Sequence, residues 1–130
     1  MEELIREFID RRVWAVVGAS TDPEKYGYKI FCSLRDAGYT VYGVNRSGGT
    51  IEGQALYRTL GDLPEKPAVV DTVVPPAVTE QVVQQCAELS IARVWMQPGS
   101  ESDKAIEYCQ RHGIAVVHDA CAMVRKRVWN

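Results

Sequence analysis

The sequence predicts an α/β protein, a Rossmann-like doubly wound fold with a five-stranded parallel sheet and helices on both faces. Strand-like segments alternate with helical patterns five times along the 130 residues, which is typical of parallel sheets. Most strand segments are continuous apolar runs, so we expect both faces of the sheet to be covered. Right-handed crossovers then favour 3-2-1-4-5 as the simplest strand order.

Hydrophobic spacing and the positions of glycine and proline predict the elements in order. Leu4, Ile5, Phe8 and Ile9 form one stripe of a first helix, and Gly38 is a typical helix stop. The expected helices span residues 2–11, 27–37, 76–89 and 100–113, and the expected strands span residues 13–17, 39–44, 69–74, 93–96 and 114–118. Ser100 with Asp103 is the expected N-cap of the last helix. Residues 47–67 read as an irregular connection with a turn near 60–63, and residues 123–130 have no clear period.

Composition indicates one globular domain over residues 1–130. The chain is 46% hydrophobic and 25% charged, with a formal net charge of -2. That balance provides no basic field for nucleic acid or an anionic membrane surface. No apolar run approaches the ~20 residues of a membrane span, and the acidic N-terminus lacks a signal-peptide core. We therefore expect a cytoplasmic protein that binds neither nucleic acid nor membrane.

The loop after the first strand is the strongest candidate for ligand binding. Gly18, Ala19, Ser20 and Thr21 follow an apolar run and precede a predicted helix. Backbone N–H groups, a hydroxyl and the positive end of a helix dipole suit a pyrophosphate. Lys25 and Lys29 would add charge, and Gly27 would permit close backbone approach. The alternative is a plain strand-to-helix turn with solvated lysines. The Gly-x-Gly-x-x-Gly of a dinucleotide dehydrogenase is incomplete, since the second and third glycines are missing.

The end of the second strand narrows the choice of ligand. Asn45 and Arg46 stand where an NAD site places a carboxylate for the ribose 2′-hydroxyl. Arginine instead favours a further phosphate on the ribose, as in NADP or coenzyme A. Alternatively, Arg46 is a solvent-facing loop residue.

Several motifs follow one another in the order of a known family. The series starts with Val16–Ser20, Pro23, Lys25, Gly27 and Lys29, and continues through Gly38-Tyr39, Val41-Tyr42, Val44-Asn45, Ile51-Glu52-Gly53, Leu60, Asp62-Leu63-Pro64, Val70-Asp71, Pro75-Pro76, Val94-Trp95-Met96-Gln97, Gly99, Asp119 and Cys121. This series, which covers nearly the whole chain, resembles the small CoA-binding proteins. They are relatives of the nucleotide-binding domain in the succinyl-CoA synthetase α subunit.

The resemblance implies a site for coenzyme A or an acyl-CoA. It implies that the diphosphate lies on the Gly18–Thr21 loop and the helix start. The adenosine end would lie between Asn45-Arg46 and Val74-Pro75, with Gln97 and Gly99 further along the groove. The chain departs from the family at three places: Arg46 replaces a frequent proline, Val73-Val74 replace a basic pair, and Arg125-Lys126 replace a Glu-His pair.

The sequence contains no recognisable catalytic constellation. His112 and His118 have no motif around them, and no cysteine spacing predicts a metal site. Cys32, Cys86 and Cys109 fall in helical patterns, where a free thiol usually acts as a small buried hydrophobe. Cys121 follows a predicted strand end. It is either a thiol near a helix N-terminus, where the thiolate is favoured, or a buried small residue at a tight turn.

The leading hypothesis is therefore non-catalytic binding of coenzyme A or an acyl-CoA. One alternative is an NADP-binding reductase-like protein. Another is a thiol-redox protein in which Cys121 forms a mixed disulfide with coenzyme A. Nothing in the sequence identifies a protein partner.

Overall fold

The computed structural model of the chain describes residues 1–129 and contains a five-stranded parallel sheet. In chain order the elements are α1 (Glu2–Ile9), β1 (Val13–Val17), α2 (Tyr26–Asp36), β2 (Thr40–Val44), β3 (Thr50–Ile51), β4 (Gln54–Ala55), β5 (Val69–Thr72), α3 (Pro76–Glu88), β6 (Arg93–Met96), α4 (Asp103–Arg111), β7 (Ala115–Val117) and α5 (Ala122–Arg125). The predicted doubly wound α/β class is confirmed.

The strand order differs from the expected one. The sheet runs β2-β1-β5-β6-β7, which is 2-1-3-4-5 for the five main strands, so the predicted order 3-2-1-4-5 is wrong. All four residues of β5 are buried, as a central strand requires. The place beside β2 is taken by the connection itself, because Tyr57 bridges Val44 in parallel and its N–H donates to the Gly43 carbonyl at 2.8 Å.

The helices cover the two faces of the sheet in two groups. On one face α1, α2 and α5 share a core with the sheet, to which Phe8 of α1, Phe31 of α2, and Trp14 and Trp95 of the strands contribute. On the other face α3 and α4 pack over a core that includes Val70 and Met96. None of the helices within residues 1–129 combines the length and the apolarity needed to cross a membrane.

The connection between β2 and β5 contains a hairpin that the sequence pattern did not predict. Strands β3 and β4 pair antiparallel through a two-residue turn at Glu52-Gly53. Both turn residues have positive φ, 47° and 85°, as tight hairpin turns favour. The turn predicted near residues 60–63 is present as a 3₁₀ turn at Leu60–Asp62.

Two further details of the helices differ from expectation. The N-cap of α4 is Ser102, whose hydroxyl accepts a hydrogen bond from the Ala105 N–H at 3.2 Å. Ser100, the predicted cap, is instead buried beside Thr72, with 2.9 Å between the two hydroxyl oxygens. The segment after β7 contains the four-residue helix α5, which is too short to give a hydrophobic period.

The end of the chain packs back onto α1 and α2. The Trp129 backbone N–H donates to the Ala37 carbonyl at 2.8 Å, and the guanidinium carbons of Arg12 and Arg127 lie 4.8 and 4.1 Å from the centre of its ring. Arg125 forms an ion pair with Glu2 of α1. These contacts hold α5 and the residues after it against α1 and α2.

Candidate functional site

The candidate site lies at the carboxyl edge of the sheet, where the strand order reverses between β1 and β5. The connection from β1 leads to β2 on one side, whereas the connections after β5 lead to β6 and β7 on the other. Doubly wound folds bind their ligands at such a point, in the crevice beyond the strand ends. Two cavities lie along this edge, and Val74 lines both of them.

The larger cavity has an apolar floor and a polar rim. It has a volume of about 330 Å³ and lies between the ends of β1, β2 and β5 and the first turns of α3. Its apolar lining comes from Val17, Val44, Leu60, Val74, Val78 and Val82, and its polar lining from Asn45, Arg46, Arg58, Thr59, Gln81 and Gln85. An apolar floor with a few convergent polar groups is typical of sites for small molecules and cofactors.

Gly18 forms the junction of β1 with the loop, and only glycine fits there. Its φ is +100°, and a Cβ at this position would lie 2.2 Å from the Val73 carbonyl oxygen. Its own N–H donates to the Val44 carbonyl at 3.0 Å. The backbone of the loop therefore crosses directly over the ends of β2 and β5.

Helix α2 begins against this loop. A Cβ on Gly27 would lie 1.9 Å from the Gly18 carbonyl oxygen, so the first turn of α2 touches the loop backbone. The N-cap position is Lys25, which is exposed and makes no capping hydrogen bond through its side chain. The Ser20 hydroxyl accepts from the Asp22 N–H at 3.0 Å, which shapes the turn between them.

Asn45 fixes the end of β2 to the loop after β1. Its side-chain Nδ2 donates to the Ala19 carbonyl at 2.8 Å, and its Oδ1 accepts from the Ser47 N–H at 2.8 Å. Both polar atoms of the Asn45 side chain are therefore hydrogen-bonded to backbone groups. Asn45 lines the larger cavity, but the contacts assign it first a role in positioning the loop.

Two arginines stand at the rim of the larger cavity. Arg46 is exposed, and its Nη2 donates to Gln81 Oε1 of α3 at 3.4 Å. The Nη1 of Arg58 donates to the Arg46 carbonyl at 2.9 Å, which holds the Arg58 guanidinium against the backbone of Arg46. Arg58 was not predicted, because it lies in the irregular connection, far along the chain from any strand end. Arg58 reaches the larger cavity because that connection returns alongside the end of β2.

The smaller cavity continues the edge toward β6. It has a volume of about 270 Å³ and is lined by Val73, Val74, Pro75, Gln97, Pro98, Gly99 and Ser100. Ser100 is buried and its hydroxyl donates to the Gln97 carbonyl at 2.8 Å, which closes the turn that carries Gly99. Gly99 has a φ of +94°.

Gln97 links the smaller cavity to Cys121. Its Nε2 lies 3.2 Å from the Cys121 Sγ, and its Oε1 accepts from the Ala122 N–H at 2.9 Å. On β5, the strand beside β6, Asp71 is fully buried, and both of its carboxyl oxygens are without a hydrogen-bond partner within residues 1–129. Burial, and secondarily the Cys121 thiol, raises the pKa of Asp71 well above its usual range.

The predicted site residues meet at one edge but divide into two groups. Gly18, Asn45, Arg46, Val74, Pro75, Gln97 and Gly99 line one or both cavities. Five others line neither of the two cavities within residues 1–129: Ala19, Ser20, Thr21, Lys25 and Gly27. Ala19 is buried and Thr21 is exposed, and the five form the loop and helix start above the larger cavity. Within the described residues no group of acidic, histidine and cysteine side chains suits a metal ion.

The fold and the position of the cavities define the class: a doubly wound α/β protein whose candidate ligand site is at its topological switch point. Within that class, the sequence model of the CoA binding domain family matches residues 12–127. The chain belongs to this family of CoA binding domains, as the motifs in the sequence led us to expect.

The relatives include both large and small proteins. The α subunit of an ADP-forming acetate–CoA ligase II from Pyrococcus furiosus is 27% identical over 125 residues, covering 88% of this chain and 27% of that subunit. The uncharacterised protein YneT of Bacillus subtilis is 27% identical over 128 residues, covering 95% of this chain and 93% of YneT. The chain thus spans only about a quarter of the ligase subunit.

A solved structure has the same fold over nearly its whole length. A hypothetical protein from Pyrococcus horikoshii OT3 superposes with a TM-score of 0.91 at 31% identity, covering 96% of this chain and 89% of that one. This match therefore includes the five-stranded sheet and the helices on both of its faces.

Proposed function

We propose that this chain binds coenzyme A or an acyl-CoA at the carboxyl edge of its sheet and does not itself catalyse a reaction. Membership of the CoA binding domain family supports the choice of ligand. The observation that carries the proposed placement is the larger cavity, which combines an apolar floor with two rim arginines.

In this proposal the adenine ring occupies the larger cavity. The valines of β1, β2 and α3 offer the flat ring an apolar contact surface, while Gln81 and Gln85 offer amide groups to its polar edge. Arg46 and Arg58 then face the 3′-phosphate of the ribose. Planar guanidinium groups suit this role, because they donate two parallel hydrogen bonds to phosphate oxygens.

The diphosphate is placed on the loop from Gly18 to Thr21. Contact between Gly27 and Gly18 brings the positive end of α2 close to the loop, where an anion is stabilised. Lys25 is exposed at the N-cap and adds positive charge. The pantetheine arm then runs over Val74 toward Gln97 and Gly99, the direction in which the second cavity extends.

The non-catalytic part of the proposal rests on the histidines and the ligase relatives. His112 stacks on Tyr108, and His118 pairs with Asp119 at 2.6 Å near the molecular surface. The chain spans about a quarter of the ligase subunit, so we do not assign it that protein's reaction. We also propose a cytoplasmic location, on composition alone.

Calorimetric titration with coenzyme A and with 3′-dephospho-coenzyme A tests the proposed site. We expect the loss of the 3′-phosphate to weaken binding by the wild-type protein at least about tenfold, the scale of a charge-assisted hydrogen bond. In Arg46→Gln and Arg58→Gln the difference between the two ligands should shrink. This double comparison isolates the contact between each arginine and the phosphate.

Arg111→Gln is the matched control, because Arg111 lies on α4 and its i,i+4 neighbour Glu107 is the ion-pair partner. It should leave both affinities unchanged. Equal affinity of the wild-type protein for the two ligands would remove the role given to the arginines. Absence of any binding of coenzyme A would overturn the proposed function as a whole.

A further inference from the structure

The side chain of Gln97 is held in one orientation by its surroundings. The Ala122 backbone N–H can only donate, so the amide atom that it meets at 2.9 Å must be the Gln97 oxygen. The amide nitrogen must therefore point to the Cys121 sulfur, 3.2 Å away. An N–H donor aimed at sulfur stabilises the thiolate relative to the thiol.

Asp71 provides a second, independent observation at the same place. Its side chain lies on the same sheet face as Val69, because alternate residues of a strand share a face. This face carries α5, and Cys121 is the N-cap of α5. The carboxyl group is fully buried and unpartnered within residues 1–129. Cys121 is the titratable group whose charge bears on it.

A buried, unpaired carboxyl group is costly and requires an explanation. Burying it ionised and unpaired costs several kcal/mol, so the group is kept as the neutral acid. Burial raises the pKa of Asp71 well above its usual range. As the neutral acid, Asp71 therefore places no full negative charge on this face of the sheet that would oppose a thiolate at Cys121.

The other three cysteines stand in different surroundings. Burial raises the pKa of Cys86 and of Cys109 to about 12, which keeps both as unreactive thiols. Burial also raises the pKa of Cys32, whose Sγ lies 3.8 Å from the Glu52 carboxylate. Cys121 is half-buried and, alone among the four, has the sulfur directed to an amide donor.

We propose that Cys121 is the nucleophile of a thiol–disulfide exchange site for a ligand that carries a pantetheine disulfide. In it, Gln97 positions and polarises the sulfur, and the neutral Asp71 places no full negative charge beside it. The inference rests on the proposed function, because the same ligand ends in a thiol. Gln97 lines the smaller cavity, so the sulfur lies one side chain away from the space assigned to the pantetheine arm.

The exchange balances without a further oxidant. The Cys121 thiolate attacks one sulfur of the ligand disulfide and forms a new S–S bond to one coenzyme A half. The original S–S bond breaks, and its electron pair leaves with the other half as a thiolate. Cys121 releases its proton to solvent when it becomes the thiolate, and the leaving thiolate takes up a proton from solvent, so protons balance. Cys121 is oxidised as the ligand disulfide is reduced.

The test is incubation with oxidised coenzyme A, followed by intact mass measurement and peptide mapping. We expect one adduct per chain, on the peptide that contains Cys121. Cys121→Ser should form none, and Cys32→Ser, the matched control, should give the wild-type yield. An adduct of equal yield on other cysteines, or in Cys121→Ser, would overturn the proposal. Mapping of the wild-type protein locates the site without depending on any variant.

One variant tests Gln97 at one fixed pH. Gln97→Met keeps the length but removes the N–H donor, and we expect about tenfold slower exchange together with a weaker ultraviolet thiolate signal. A wild-type rate and a wild-type thiolate signal in Gln97→Met would remove the role given to Gln97.

Calorimetric titration of Cys121→Ser with reduced coenzyme A separates this inference from the proposed function. Binding there, with no adduct in the wild-type protein, would overturn the exchange site and leave the binding function standing. Absence of both would overturn the two together.

Discussion

Asp71 is the residue least explained by packing alone. It stands in the central strand, opposite Val16 of β1 and Trp95 of β6, where an apolar residue would bury more favourably. Native proteins rarely leave such a group unpaired, and strongly raised pKa values cluster at functional sites. The buried carboxyl group should therefore lower the free energy of unfolding as the pH rises, and this decrease can be measured.

The pH dependence of stability should change in Asp71→Asn. The raised pKa of Asp71 in the folded chain means that this chain binds a proton that the unfolded chain, with its ordinary pKa of ~3.9, has released. The associated stability is present below about pH 4 and is lost as the pH rises toward the folded pKa. In that window the wild-type free energy of unfolding should fall relative to Asp71→Asn, by up to about 1.4 kcal/mol per pH unit.

Urea denaturation at a series of pH values measures this difference. The variant serves as its own reference, since every other titrating group is common to both proteins. Parallel stability curves for the two proteins across the window would contradict a raised pKa in the folded chain.

At the residue scale, the sequence predicted the residues whose place is set by a strand end better than the residues whose role depends on tertiary contacts. Gly18 and Asn45 were predictable, because strand ends meet at one edge whatever the details of packing. Arg58 was not, since its place depends on how the connection from residue 45 to 68 returns to the sheet. Asp71 was recognised as part of a motif, but its burial and lack of a partner depend on β5 being central.

Helix α2 and the loop after β1 form one unit because of Gly27. The first turn of the helix approaches the Gly18 carbonyl so closely that no side chain fits between them. This contact sets the height of the helix N-terminus above the proposed diphosphate position.

Gly27→Ala should therefore destabilise the protein and weaken the binding of coenzyme A. The added Cβ would lie 1.9 Å from a backbone oxygen, so helix or loop must move, a change that costs about 1–3 kcal/mol. Gly61→Ala is the matched control, because its Cβ would have 3.8 Å to the nearest atom. Chemical denaturation and titration calorimetry measure the two effects. A Gly27→Ala protein as stable and as tight-binding as Gly61→Ala would contradict the close approach.

At the element scale, the long periodic segments were predicted and the short ones were missed. Helices α1, α2 and α3 appear within a few residues of their expected bounds, since each repeats its apolar face over at least two turns. Strands β3 and β4 have two residues each, and α5 has four, too few for a period to appear. The predicted strand order was wrong because the sequence of an irregular connection does not show on which side of β1 the next strand joins the sheet.

At the scale of the whole molecule, the strand order of the sheet determines where the candidate site lies. With β5 beside β1, the switch point lies between the two strands, and both cavities lie along it with Val74 between them. Had the third strand paired with β2, the end of β1 would have faced β6 across the crevice. One extended ligand can thus contact the loop after β1 and the ends of both β2 and β6.

Ligand binding at this crevice should stabilise the entire fold. The proposed ligand contacts residues from β1, β2, β5, α3 and β6, which come together only in the folded chain. A ligand that binds only the folded state raises the free energy of unfolding by about 2.7 kcal/mol at a hundredfold excess over its Kd. Thermal denaturation should therefore show the largest rise in melting temperature with coenzyme A and a smaller one with 3′-dephospho-coenzyme A at equal concentration. NADPH, the ligand of the alternative function, should give little shift because the loop lacks two of the fingerprint glycines. A rise with NADPH equal to that with coenzyme A would instead favour the reductase-like alternative.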